Sequence, residues 1–186
     1  MLLSDKDIKK AVASGEIVIR PFRVKYLQPA SVDLHLGRHF LVFDTTNHHV
    51  IDPKKPMDEM MKEISIEDDK PFVLHPGEFA LGMVCETVGV SRKYVGRLEG
   101  KSSIGRMGLL IHITAGFLDP GNQLKMTLEL HNAANMPVLL YYKMPIAQIA
   151  FEKLSSISSQ AYAEKLTSKY IGDTKPRASQ MWRNFV

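Results

Sequence analysis

Hydrophobic and polar positions change period along this chain, and the change divides it into parts. Near the start, Ser4 followed by Asp7 has the form of a capping box, Ile8, Ala11 and Val12 follow at helical spacing, and Gly15 can end the turn. This predicts a short helix over residues 5 to 14. Beyond Gly15 the chain turns to short β-type runs broken by Pro and Gly: EIVIRP, SVDLHL, RHFLVF, FVLHPGEFALGMVCETV, YVGRLEG, LLIHITAGF, LKMTLEL, MPVLLYY and IAQIAFEKL. Many short strands separated by turn signals predict a mainly β domain, either a sandwich or a closed barrel.

The cleanest alternation spans Gln123 to Leu130. Leu124, Met126, Leu128 and Leu130 point one way; Gln123, Lys125, Thr127 and Glu129 point the other. If that polar face looks into a cavity, desolvation and neighbouring groups can tune Glu129 for acid–base work; if it faces solvent, Glu129 is an ordinary surface residue.

Residues 52 to 70 carry mixed charge and little alternation, and read as an excursion from the barrel in which Met57, Met60, Met61 and Ile64 make one packing face of a short helix. From Ser155 onward the chain is polar, with five Lys or Arg against two acids. Such a segment is either a solvated tail or a flap that brings cations to an anionic ligand.

At 186 residues the chain fits one domain, and 45% hydrophobic content suffices for a single core. No apolar run approaches a membrane span and the charged start MLLSDKDIKK leaves no room for a signal peptide, so a cytoplasmic protein is expected. Cys85 is the only cysteine, which excludes an intrachain disulfide and a thiolate zinc cage within one chain; its apolar neighbours suggest a structural thiol. A net charge of +4 suits an anionic small molecule as well as it suits nucleic acid.

Candidate chemistry concentrates between Arg97 and Glu129. Glu99 to Arg106 (EGKSSIGR) combines two glycines, two hydroxyls and two cations in eight residues, a loop able to present N–H groups and an Arg fork to phosphate, or a plain surface turn. It lacks the Walker order. His112 sits alone in an apolar run and reads as a core residue, while Asp119 in Asp-Pro-Gly reads as a turn residue.

These residues nevertheless resemble, in order, the dCTP deaminases, relatives of the trimeric dUTPases. The matching blocks are QPASVDLHLG from Gln28, EGKSSIGRMGLLIHITAGFLDPG from Glu99, MTLEL with Glu129, MPIAQIAF from Met144, and SKYIGD with Lys169 and Tyr170. Residues 44 to 70 match least. The resemblance implies a dUTPase-like distorted β-barrel or jelly roll over residues 1–154, with residues 155–186 as a flap over the active site.

It further implies that Glu129 activates water for attack on C4 of cytosine and relays protons to the departing ammonia. The H-x-E…P-C-x-x-C signature of zinc deaminases is absent, so the water would be metal-free. Ser102 and Arg106 would lie near the reacting centre. Substrate contacts are implied for Lys101, Ser102, Ser103, Arg106, Thr114, Ala115, Gly116, Phe117, Asp119, Gln148, Tyr162, Lys169 and Asp173. Asp173 stands where many members carry Gln, which would set a negative charge near a triphosphate.

Deaminase-only members commonly read T-A-H-R-I-D, whereas dUMP-forming members read T-A-G-[FW]-[IL]-D; Thr114 to Asp119 (TAGFLD) resembles the second group. Asp119 would then serve a second hydrolysis, giving dUMP and pyrophosphate. The resemblance also implies Mg²⁺ carried mainly by the nucleotide phosphates, no metal held by protein side chains, dTTP as a feedback inhibitor, and a homotrimer with shared active sites, without nucleic acid or membrane partners. The alternatives are a deaminase that releases dUTP, a dUTPase alone, or a non-catalytic nucleotide-binding β-barrel adaptor.

Overall fold

A computed structural model describes all residues from Met1 to Val186. In chain order the elements are α1 (Asp5–Ala13), β1 (Ile17–Arg20), β2 (Val32–His35), β3 (His39–Phe43), β4 (Met61–Ser65), β5 (Phe72–Leu74), β6 (Phe79–Met83) and β7 (Thr87–Val90). They continue with β8 (Tyr94–Gly100), α2 (Ser102–Gly105), β9 (Leu109–Leu110), β10 (Phe117–Leu118), β11 (Gln123–Leu124), β12 (Thr127–Asn132), β13 (Val138–Leu140) and β14 (Pro145–Lys153). All strand pairs are antiparallel. They form sheets in the orders β4-β3-β6-β12-β9, β10-β8-β14-β2, β1-β7-β11 and β13-β5.

The mainly β architecture follows from the alternation already visible in the sequence. Leu128 and Leu130 on β12 are fully buried, whereas Thr127 and Glu129, which alternate with them, are not. On β14 a register shift between Pro145 and Ala147 lets two consecutive residues, Ile146 and Ala147, face inward together. Phe40 and Phe72 stack at 4.2 Å between ring centroids, joining the five-stranded sheet to the β5–β13 ribbon. No helix is long and apolar enough to cross a membrane.

Three local expectations need correction. Helix α1 forms over the expected stretch, with Ser14 as its C-cap, but the Ser4 hydroxyl donates to the Asp7 carboxylate at 3.1 Å instead of accepting a backbone N–H. Gly15, with φ +76°, ends the turn as expected.

The helix expected around Met57 to Ile64 is instead a single 3-10 turn, Asp58–Met60, followed by the edge strand β4. Pairing with β3 outweighs the methionine spacing, and the charges of Lys62 and Glu63 suit an exposed edge. The packing role does survive for Met57, which is buried.

The strand expected from Gln123 to Leu130 is two strands. Gln123 and Leu124 pair with β7, whereas Thr127 onward pairs with β6. At the transfer between sheets the N–H of Lys125 donates to Asp173 in the C-terminal segment.

Candidate active site

The transfer between β11 and β12 opens a cleft of about 430 Å³, walled on one side by the five-stranded sheet and on the other by β10 and the C-terminal segment. Glu129 reaches this cleft from β12, opposite Leu81 on β6. The polar face of that strand therefore looks into a cavity. Glu129 Oε2 accepts hydrogen bonds from the N–H groups of Ile113 (2.8 Å) and Thr114 (3.3 Å), while its other oxygen makes no hydrogen bond within the chain. One oxygen is thus anchored and the other is free for a ligand or water.

Asp119 enters from the end of β10. Burial pushes its carboxyl above the ordinary carboxylate range, and the nearby Lys165 charge partly opposes that rise. The next turn is tight: Gly121 has φ +76°, and a Cβ there would stand 2.4 Å from that of Ala161. Gly116 is required for a different reason, because a Cβ would come within 2.7 Å of the Leu98 carbonyl oxygen and also meet the His112 ring. Ala115 and Phe117 flank it on the cleft wall.

The C-terminal segment is tied across the cleft as a strap. Tyr162 N–H donates to Pro120 O at 2.8 Å, Lys125 N–H to Asp173 O at 2.8 Å, and the Lys175 ammonium to Glu63 at 2.9 Å. Along this strap Tyr162, Tyr170, Arg177 and Ser179 line the cleft. The apolar wall comes from Phe43, Met57, Met61 and Phe79.

Of the residues singled out in the sequence, the chain brings Glu129, Asp119, Ala115, Phe117 and Tyr162 together on the cleft. Thr114 contributes its backbone N–H to Glu129. The others lie off the cleft. Ser102, Ser103 and Arg106 are exposed on and beside α2. The Lys101 ammonium is 2.5 Å from Asp33, and Gln148 braces the loop base by donating to Gly100 O at 3.1 Å and accepting from Ser31 at 2.8 Å. Lys169 donates to Asn184 at 2.7 Å.

Asp173 is 4% exposed and sits 2.8 Å from Arg177. Burial pushes its carboxyl up, and Arg177 opposes the rise.

Sequence reasoning missed Arg177, Ser179 and Asn122, together with the Phe43–Phe79 wall. The alternation of β3 and β6 could have indicated that wall, but no local pattern marks Arg177.

Cys85 donates its thiol to Leu36 O at 3.1 Å, and burial, with the Glu86 charge, pushes the thiol up to about 11. That fits a structural thiol.

Residues 2–154 match the family model described as dCTP deaminase-like, and the chain belongs to that family. It is 46% identical over 186 residues to a protein of Corynebacterium glutamicum named dCTP deaminase, dUMP-forming, covering 100% of this chain and 98% of that protein. A protein of the same name from Tropheryma whipplei is also 46% identical, with 100% and 95% covered. Among solved structures, the 2'-deoxycytidine 5'-triphosphate deaminase of Agrobacterium tumefaciens shares the fold, with TM-score 0.63 and 20% identity over 81% of this chain and 47% of that one.

Proposed function

We propose that this chain is a dCTP deaminase that forms dUMP, hydrolysing its substrate at two places: dCTP and two waters give dUMP, ammonia and pyrophosphate. The observation that carries the reading is the pair of carboxylates, Glu129 and Asp119, on one largely apolar cleft. Full-length similarity to relatives named for that activity supports it.

In the first hydrolysis Glu129 takes a proton from water as the oxygen adds to C4 of cytosine. It then returns a proton to the amino group, which leaves as ammonia. The two N–H bonds to Oε2 hold the carboxylate in one orientation while the free oxygen meets the water. The apolar wall excludes bulk water from the base.

In the second hydrolysis Asp119 directs a water to the α-phosphorus, the bond to the β-phosphate oxygen breaks, and pyrophosphate departs. Mg²⁺ would be carried mainly by phosphate oxygens and water, as suits this hard cation. When bound it would supply charge neutralisation at the phosphates.

Ser102, Ser103 and Arg106 lie exposed on and beside α2, off the cleft, with half-buried Lys101 just before them, and the reading has this segment complete the active site of a neighbouring copy in a homotrimer. Gln148 supports the loop, Lys169 belongs to the strap, and dTTP binds the same cleft as a feedback inhibitor. The enzyme works in the cytoplasm.

The Asp119→Asn variant tests the division of labour. Ammonia should still be released from dCTP while free dUTP accumulates. Undiminished conversion to dUMP would overturn the role given to Asp119.

A further inference from the structure

Among the residues on the cleft wall, Arg177 carries the only cationic side chain, and Asp119 and Glu129 carry the two carboxyl groups. A nucleoside triphosphate entering that cleft brings several negative charges toward two carboxylates. The repulsion grows as water is displaced, so a cation on the wall has a large effect on which ligand is held.

Arg177 is also held in place. Its Nη2 is 2.8 Å from Asp173 Oδ1, and its Nη1 donates to Lys169 O at 3.3 Å. Asp173 Oδ1 is buried and has no well-aligned hydrogen-bond donor, so its contact with the guanidinium is mainly Coulombic. The Arg177 side chain remains 46% exposed, against 2% for that of Asp173. A guanidinium has five N–H donors in a planar fork, so donors remain free for phosphate oxygens.

We propose that Arg177 is a substrate-phosphate contact on the strap, and that buried Asp173 is a positioning residue that orients it. The proposal rests on the reading of dCTP as substrate. It also accounts for the acidic residue at 173: the carboxylate is off the cleft wall and acts through the guanidinium, so its charge does not meet the triphosphate directly.

The test compares ligands that differ only in phosphate number. In a Glu129→Gln background, where bound nucleotide persists, dCTP, dCMP and deoxycytidine are titrated calorimetrically with and without Arg177→Gln. The expected loss is about 10- to 100-fold for dCTP, as for removal of a charge-assisted hydrogen bond, with less for dCMP and none for deoxycytidine. Equal loss for all three ligands, or no loss, would overturn the proposal.

Arg177→Lys keeps the charge without the fork and should retain part of the dCTP affinity. Asp173→Asn should give a smaller loss with the same dependence on phosphate number, and the double variant should bind no worse than Arg177→Gln alone. Additive losses would refute the positioning role. With Glu129 intact, Arg177→Gln should raise KM and leave kcat nearly unchanged, and thermal melts exclude loss of fold. Failure of the substrate reading has a different signature: the unsubstituted chain would release no ammonia from dCTP. The same variants are then titrated with inorganic triphosphate, and an affinity that Arg177→Gln does not lower would overturn the proposal.

Discussion

Replacing Glu129 by Gln separates its structural work from its chemical work. Its two hydrogen bonds, to Ile113 and Thr114 at 2.8 and 3.3 Å, both arrive at Oε2. The amide oxygen of Gln can accept the same two donors. Those bonds lose charge assistance, and hydrogen bonds to charged groups contribute about 1.5–3 kcal/mol against about 0.5–1.5 for neutral ones. Because the donors are exposed to water, the net loss is placed near the low end, about 1 kcal/mol, or about 2–4 °C in Tm for a domain of this size.

The chemical loss is much larger, because an amide cannot take the proton from water. Positioned acid–base groups contribute about 10²–10⁴-fold, and ammonia release should fall by that factor. The assay is ammonia release at saturating dCTP, run beside a thermal melt. Undiminished turnover would refute the role given to Glu129, and so would turnover lost only in proportion to unfolding.

Asp119 gives a pH test with a defined sign. Its folded-state pKa is raised, so the folded chain holds that proton to higher pH than the unfolded chain. Its contribution to stability is gained as pH falls through the folded pKa, and ionisation above it is a cost. Asp119→Asn should therefore melt at or above the parent's temperature at neutral pH, with the difference shrinking on acidification; an advantage that grows in acid would contradict this. Cys85, held up to about 11, should react slowly with a thiol reagent at mildly alkaline pH and quickly after unfolding. Fast reaction of the native chain would show that the thiol is not shielded. Gly121→Ala adds a Cβ 2.4 Å from that of Ala161 at a left-handed position. It should cost about 1–2 kcal/mol from the backbone alone, and more from displacement of the strap, read as faster proteolysis near Ala161. An unchanged melt would argue that the strap does not rest there.

The β architecture was legible because burial alternates along single strands, and Leu128 and Leu130 mark the inward face of β12 without tertiary information. What that face left open was the surroundings of Glu129. Periodicity puts it opposite the leucines, but only the pairing with β6 and the turn at Ile113 show a cavity there. Strand β4 was hidden because its neighbour β3, rather than its own sequence, makes it a strand. The break at Lys125 and Met126 was hidden for the same reason, since alternation continues smoothly through a change of sheet. Arg177 was out of reach of local reasoning. It is one cation among five in a polar segment, and only the folded path of the strap sets it over the cleft and against Asp173.

The most direct test of two hydrolyses in one cleft is the product balance from dCTP. With enzyme in excess over substrate, ammonia, pyrophosphate and dUMP should form in equal amounts with no free dUTP. Stoichiometric dUTP would contradict the coupled reaction, and the absence of ammonia would contradict deamination itself.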